Sequence, residues 1–249
     1  MTIPGITGGL PPVGSNLRNT TVRKRQGRRE SIKSRYSVKA DAEPASGLIL
    51  AGGQSRRMGE PKAALPFGDS TILERLIAEL IDQFSELIVI AAPRADETYP
   101  VEALLRPFRD RVVLLRDETA FAGPVPALIR GLRAAQHPAV FACSCDLPLI
   151  RRGVARELCR KLADYDAVIP QISGRSQPLC AAYSSRAADV IAALADAGEQ
   201  RLTTIAAILR SLPVPEAELR RIDPDLRSFL NVNTPEDYAR ALALAERDG

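Results

Sequence analysis

The chain has 249 residues, 45% apolar and 26% charged, ordinary proportions for a soluble globular protein that suit one large α/β domain or two small ones. No run of about 18 apolar residues occurs, which excludes a transmembrane helix and argues against a membrane partner. The net charge of +4 sits in residues 1–45, which hold nine Lys and Arg against three acids, while the rest holds 25 against 27, so the body has no electrostatic case for nucleic-acid binding.

Residues 1–45 read as a disordered basic N-terminal tail, rich in Gly, Pro, Ser and Asn and without apolar periodicity. Three readings of it stay open: a solvated extension or mis-assigned start, an Arg- and Ser-rich targeting segment, and a polybasic arm for a partner. From Ser46 the pattern alternates between strand and helix. Gly47–Ala51 is a short apolar run ending in glycines, hence a buried strand. Apolar residues at Ile72, Leu73, Leu76, Ile77, Leu80 and Ile81 predict a helix over Thr71–Phe84. Leu87–Ala92 and Arg111–Leu115 read as strands, with an interrupted helix over Asp96–Phe108 between them. Pro124–Gln136 is a helix with proline near its start, where a missing N–H costs little. A strand at Ala139–Cys145, a helix at Val154–Ala163 and a strand at Asp166–Pro170 follow, with another strand at Gln177–Tyr183. Helices at Ser184–Asp196 and Leu202–Leu209, a strand at Phe229–Val232 and a helix at Thr234–Glu246 complete the chain. Thr234, Pro235 and Asp237 make a good helix start.

This alternation predicts an α/β fold, a Rossmann-like three-layer α/β/α arrangement around a mostly parallel sheet. Ligands in such sheets sit at the carboxyl ends of the strands, and the chemistry-bearing motifs fall there. The first strand runs into Leu50, Ala51, Gly52 and Gly53, then Gln54-Ser55-Arg56-Arg57-Met58-Gly59-Glu60-Pro61-Lys62. Glycines let backbone N–H groups approach an anion, and Arg57 and Lys62 add fixed positive charge, as a triphosphate cradle requires. The pattern matches neither a Walker A loop nor a dinucleotide fingerprint. It points to a nucleotidyltransferase.

Asp146, in the run Cys145-Asp146-Leu147-Pro148, leaves the end of an apolar strand. It is placed to hold Mg2+ against phosphate oxygens, because Mg2+ uses only one or two protein carboxylates. Without that context a lone Asp at a strand end is a cap or turn residue. Asn231 and Asn233 are expected on one side of an extended segment, where uncharged amides can read a ligand's polar edges. Four Cys in no metal-site spacing read as reduced thiols in a cytoplasmic protein, with Cys143 and Cys145 as packing residues. The lone His137 reads as a loop residue; a multi-His metal site is excluded and a Ser-His-Asp hydrolase disfavoured.

The run LAGGQSRRMGEPKAALPFGDSTILERLI resembles the molybdenum cofactor guanylyltransferases, nucleotidyltransferases of the nucleotide-diphospho-sugar transferase type. The resemblance extends from about Gly47 to the C-terminus, so residues 46–249 are expected to form the nucleotidyltransferase domain. It implies GTP and a molybdopterin-type acceptor as substrates, and transient contact with molybdoenzymes or other cofactor-biosynthesis proteins. By the same resemblance Leu50 to Gly53, Ser55, Arg57, Gly59, Lys62 and Asp117 would bind the nucleotide. Lys62, Arg57 and Asp146 would carry catalysis, with Asp146 as metal ligand. Arg175, Gln177, Asn231 and Asn233 would face the acceptor. One departure is Pro126, where the family has a small residue, which bears on the local helix and on Asp117. Relatives acting with CTP usually read LAAG where this chain has Leu50-Ala51-Gly52-Gly53, so Gly52 favours guanine. The rival readings are a cytidylyltransferase, another small-molecule nucleotidyltransferase, and a non-catalytic nucleotide- or pterin-binding relative.

Overall fold

The computed structural model describes residues 44–52, 60–118 and 122–247. Gly53, Ser55, Arg57 and Gly59 therefore lie outside the described residues, as does the tail through residue 43.

The strands are β1 (Ala45–Leu50), β2 (Pro66–Phe67), β3 (Ser70–Thr71), β4 (Glu86–Ala91), β5 (Val112–Arg116), β6 (Ala139–Ser144), β7 (Ala167–Ile172), β8 (Arg175–Ser176), β9 (Cys180–Ser184) and β10 (Ser211–Pro215). The helices are α1 (Ile72–Leu80), α2 (Val101–Leu105), α3 (Pro124–Ala134), α4 (Arg152–Arg160), α5 (Ala187–Asp196), α6 (Leu202–Ile208), α7 (Glu216–Leu219) and α8 (Pro235–Glu246). The main sheet runs β10-β7-β9-β6-β1-β4-β5, with β8 hanging from β7. All pairings along it are parallel except those of β9 with β6 and β7.

All six residues of β1 are buried, as a strand covered on both faces demands. Its side chains divide by the period of two: Ile49 joins the core that holds α1, α2, α4 and α8, whereas Leu48 and Leu50 join the core that holds α3, α5 and α6. Two apolar cores on opposite faces of one sheet make the three layers. Gly131 lets α3 lie close on β1, since a Cβ there would stand 2.4 Å from Leu48 Cδ2. Among the described residues no helix is long and apolar enough to cross a membrane.

The chain leaves β1 for β4 and β5 on one side and then returns to β6 on the other. The carboxyl ends of β1 and β6 thus flank the switch point, where such sheets open a crevice.

Several elements differ from the sequence reading. The expected strand at Phe229–Val232 is a 3-10 turn, Arg227–Phe229, followed by irregular chain. Phe229 and Val232 are buried with Asn231 exposed between them, and Val232 spends its N–H on the Asp146 carbonyl instead of a ladder. The segment expected as one interrupted helix over Asp96–Phe108 is α2 flanked by two short 3-10 turns, because Pro100 and Pro107 each remove a donor. The strand expected over Gln177–Tyr183 is shifted to Cys180–Ser184. The β2–β3 hairpin, β8, β10 and α7 were not anticipated. Pro126 is accommodated in the first turn of α3, where N–H groups have no intrahelical partner.

Candidate active site at the carboxyl edge of the sheet

β1 and β6 end in register and are tied beyond their last pair. The Cys145 N–H donates to the Leu50 carbonyl at 3.1 Å, and the Cys145 thiol donates to the same oxygen at 3.1 Å. Burial pushes that thiol up to about 12, with the neighbouring Asp146 carboxylate adding to the effect. Cys145 is therefore a fastener between strands, and Cys143 is fully buried beside it.

The fastener fixes where Asp146 emerges. Its Oδ1 accepts from the Ser144 hydroxyl, its backbone carbonyl accepts from the Val232 N–H at 2.7 Å, and its Oδ2 stands 4.0 Å from Lys62 Nζ. Lys62, at the start of a short 3-10 turn after the glycine loop, also donates to Asn233 Oδ1 at 2.7 Å. The side chains of Lys62 and Asp146 are about one-fifth exposed, so they are held yet still reachable from solvent.

Asn233 is itself positioned by a helix cap. Thr234 accepts from the Asp237 N–H, and Asp237 Oδ2 accepts from the N–H groups of Thr234 (3.0 Å) and Asn233 (3.1 Å). These N–H groups, Asn233's first, hold the Asp237 carboxyl below its ordinary range. A local signal, Thr-Pro-x-Asp, thus orients a residue that meets the lysine 171 positions earlier.

On the other side of β1, Asp117 follows β5, its N–H bonded to the Ala91 carbonyl at 2.8 Å. A Cβ at Gly52 would lie 3.3 Å from Asp117 Oδ2 and 3.2 Å from the Ala92 nitrogen. Burial raises the Asp117 carboxyl to about 6, against the pull of Arg130 and with a smaller push from Glu118. The edge therefore has two walls. Lys62, Asp146 and Asn233 meet on the β6 side, while Gly52 and Asp117 meet on the β4–β5 side.

Arg175 and Gln177 lie at the same edge, beyond β9, on the hairpin of β7 and β8. Ser173 and Gly174 turn that hairpin with positive φ, a two-residue turn of the kind glycine favours. Arg175 is exposed, and neither residue hydrogen-bonds or ion-pairs with Lys62, Asp146 or Asn233. Asn231 is exposed and Asn233 half-buried, so the two amides do not share one environment. Asn233, read from sequence as an acceptor residue, has its amide oxygen on Lys62. Ser144 escaped the sequence reading; its position two before Asp146 on a strand end was the available signal.

Among the described residues no three His, Cys, Asp or Glu cluster as metal ligands. A Mg2+ shared between one carboxylate and substrate phosphates needs no such cluster, and Asp146 is the residue here that could supply that carboxylate.

Comparison with known proteins shows the family to which the chain belongs. Residues 47–214 match the family model of the MobA-like NTP transferase domain. The chain is 35% identical over 200 residues to a probable molybdenum cofactor guanylyltransferase of Mycobacterium tuberculosis, covering 78% of this chain and 91% of that one. It is 30% identical over 203 residues to the molybdenum cofactor guanylyltransferase of Desulfosudis oleivorans, covering 81% and 96%. Molybdopterin-guanine dinucleotide biosynthesis protein A from Archaeoglobus fulgidus shares the fold, with a TM-score of 0.69 at 22% identity over 81% of this chain and 99% of that one.

Proposed function

The chain belongs to the molybdenum cofactor guanylyltransferase family, and from that premise we propose that it moves GMP from GTP to the phosphate of a molybdenum-bound pterin. The observation that carries this reading is the meeting of Lys62, Asp146 and Asn233 across the crevice from Gly52 and Asp117. An acceptor phosphate oxygen attacks the α-phosphorus of GTP, the bond from that phosphorus to the bridging oxygen breaks, and pyrophosphate leaves with the electron pair. The attacking oxygen is already ionised at neutral pH, so no side chain has to remove a proton.

Catalysis is then positioning and charge neutralisation. The Lys62 ammonium, steadied by Asn233, lies against the phosphates. Asp146 is the residue that would hold Mg2+, which when bound supplies positive charge to the α-phosphate and the leaving pyrophosphate. Arg57 would add charge from the loop. The base lies toward Gly52 and Asp117, and the pterin toward Asn231, Arg175 and Gln177. The product serves molybdoenzymes, and its delivery implies transient contact with them or with other cofactor-biosynthesis proteins in the cytoplasm.

The test is pyrophosphate release with Mg2+, each of the four NTPs and the molybdenum-bound pterin as acceptor. Release with GTP alone is expected. Release with CTP but not GTP would overturn the guanine assignment, and absence of release with all four nucleotides would overturn the transfer itself.

A further inference from the structure

The loop between β4 and α2 carries a hydroxyl that the proposed chemistry does not use. Tyr99 donates its phenolic O–H to the Ala51 carbonyl at 3.1 Å. Burial, the largest influence on it, holds the phenol protonated well above its ordinary range, so it is a permanent donor.

The loop that presents Tyr99 is itself braced. Glu97 Oε1 accepts from the Val101 N–H at 3.0 Å and from Arg116 Nη2 at 3.2 Å. Arg116 Nη1 donates to the Ala92 carbonyl at 3.0 Å, and the Val101 N–H also reaches the Tyr99 carbonyl at 2.9 Å. Arg116 is the last residue of β5, directly before Asp117. The brace thus ties Tyr99 to the same strand end that sets the wall beside Gly52.

Ala51 is the hinge between strand and glycine loop. Its N–H is bonded to Ile90 on β4 at 2.7 Å, and its carbonyl faces Tyr99, in the loop that leaves the same strand. A trans peptide is planar and points its C=O and N–H in opposite directions. With the carbonyl anchored by Tyr99, the Gly52 N–H is turned the other way, away from the loop that follows β4. Among the described residues no backbone carbonyl accepts it.

We propose that Tyr99 is a positioning residue for the nucleotide: by holding the Ala51 carbonyl it aims the Gly52 N–H into the crevice as a ready donor to bound GTP. The inference rests on the guanylyltransferase reading above and adds to it a residue that never touches the substrate. Without the hydroxyl the 51–52 peptide is free to rotate, and each binding event must fix it again.

The experiment compares wild-type protein with Tyr99→Phe, which keeps the ring and its packing. The Kd for GTP is measured by calorimetry, and kcat and the acceptor KM by pyrophosphate release at saturating GTP. The expected result is a Kd for GTP raised about three- to tenfold, the effect of one hydrogen bond, with kcat and acceptor KM within twofold. Glu97→Gln, which loosens the brace but keeps the phenol, is expected to shift the Kd in the same direction by less. A Tyr99→Phe Kd within twofold of wild type would overturn the proposal, as would parallel losses in all three quantities. Wild-type protein that ignores GTP would overturn the guanylyltransferase reading instead.

Discussion

The ammonium of Lys62 donates to the amide oxygen of Asn233 at 2.7 Å, joining the end of the glycine loop to the entrance of the last helix. The Asp146 carboxylate stands 4.0 Å from the same ammonium, so the lysine has a neutral acceptor and a carboxylate close by. Removing the amide by Asn233→Ala takes away the neutral acceptor that steadies the ammonium beside Asp146. Hydrogen bonds to charged groups contribute about 1.5–3 kcal/mol, so kcat/KM is expected to fall roughly 10- to 100-fold. The unfolding midpoint should change little. Steady-state kinetics on the variant check this, and unchanged turnover would show that Lys62 does not need Asn233.

Asp146 is the second test. Asp146→Asn keeps the size of the side chain and the backbone bond from Val232, so the folded edge should persist. Turnover is expected to fall by about 10²–10³, the scale of losing one electrostatic contact to the charge that develops in a transition state. In wild type Mg2+ should tighten GTP binding; in the variant that response should vanish. Calorimetry with and without Mg2+ reads both, and a retained Mg2+ response would place the metal elsewhere.

Much of this edge was legible in the sequence, and the limits are physical. β1, β4 and β6 are short apolar runs buried on both faces, so composition alone marks them. Lys62, Asp146 and Asn233 each stand beside a local signal: a glycine loop, a strand end and a Thr-Pro-x-Asp cap. What no local pattern encodes is the pairing of side chains 171 residues apart, so the bond of Asn233 to Lys62 is visible only in the fold. Tyr99 was missed for the same reason, since it sits in a loop and acts on a carbonyl 48 residues earlier. β10, with its alternating prolines, carries the marks of a sheet edge and reads as loop.

Gly52 sets up a test of base choice. A methyl group there would stand 3.3 Å from Asp117 Oδ2 and 3.2 Å from the Ala92 nitrogen, tight enough that a neighbour must yield by a few tenths of an ångström. The Ala92 nitrogen belongs to backbone braced by Arg116, whereas the carboxylate can turn. Gly52→Ala should therefore displace Asp117 and lower the ratio of kcat/KM for GTP over CTP. One displaced polar contact corresponds to about a tenfold change. Competition between the two nucleotides measures the ratio directly; an unaltered ratio would separate Gly52 from base selection.

Asp117 makes the last prediction, through pH. Burial raises its carboxyl to about 6 in the folded protein, above its value in an unfolded chain. The folded state therefore holds this proton more tightly than the unfolded state does. Its contribution to stability is fully present below the unfolded value and is lost as pH rises through about 6. GTP binding runs the other way. Only the ionised carboxylate has both oxygens free to accept guanine N–H groups, so affinity should grow as pH rises through the same range. The γ-phosphate of GTP also titrates near pH 6 and would give wild type a similar slope by itself. Asp117→Asn separates the two causes, because it keeps a neutral side chain at every pH and leaves only the phosphate contribution. Calorimetric Kd values at pH 5, 6 and 7 should show the wild type gaining more affinity than the variant. Equal gains would mean that Asp117 does not reach the base.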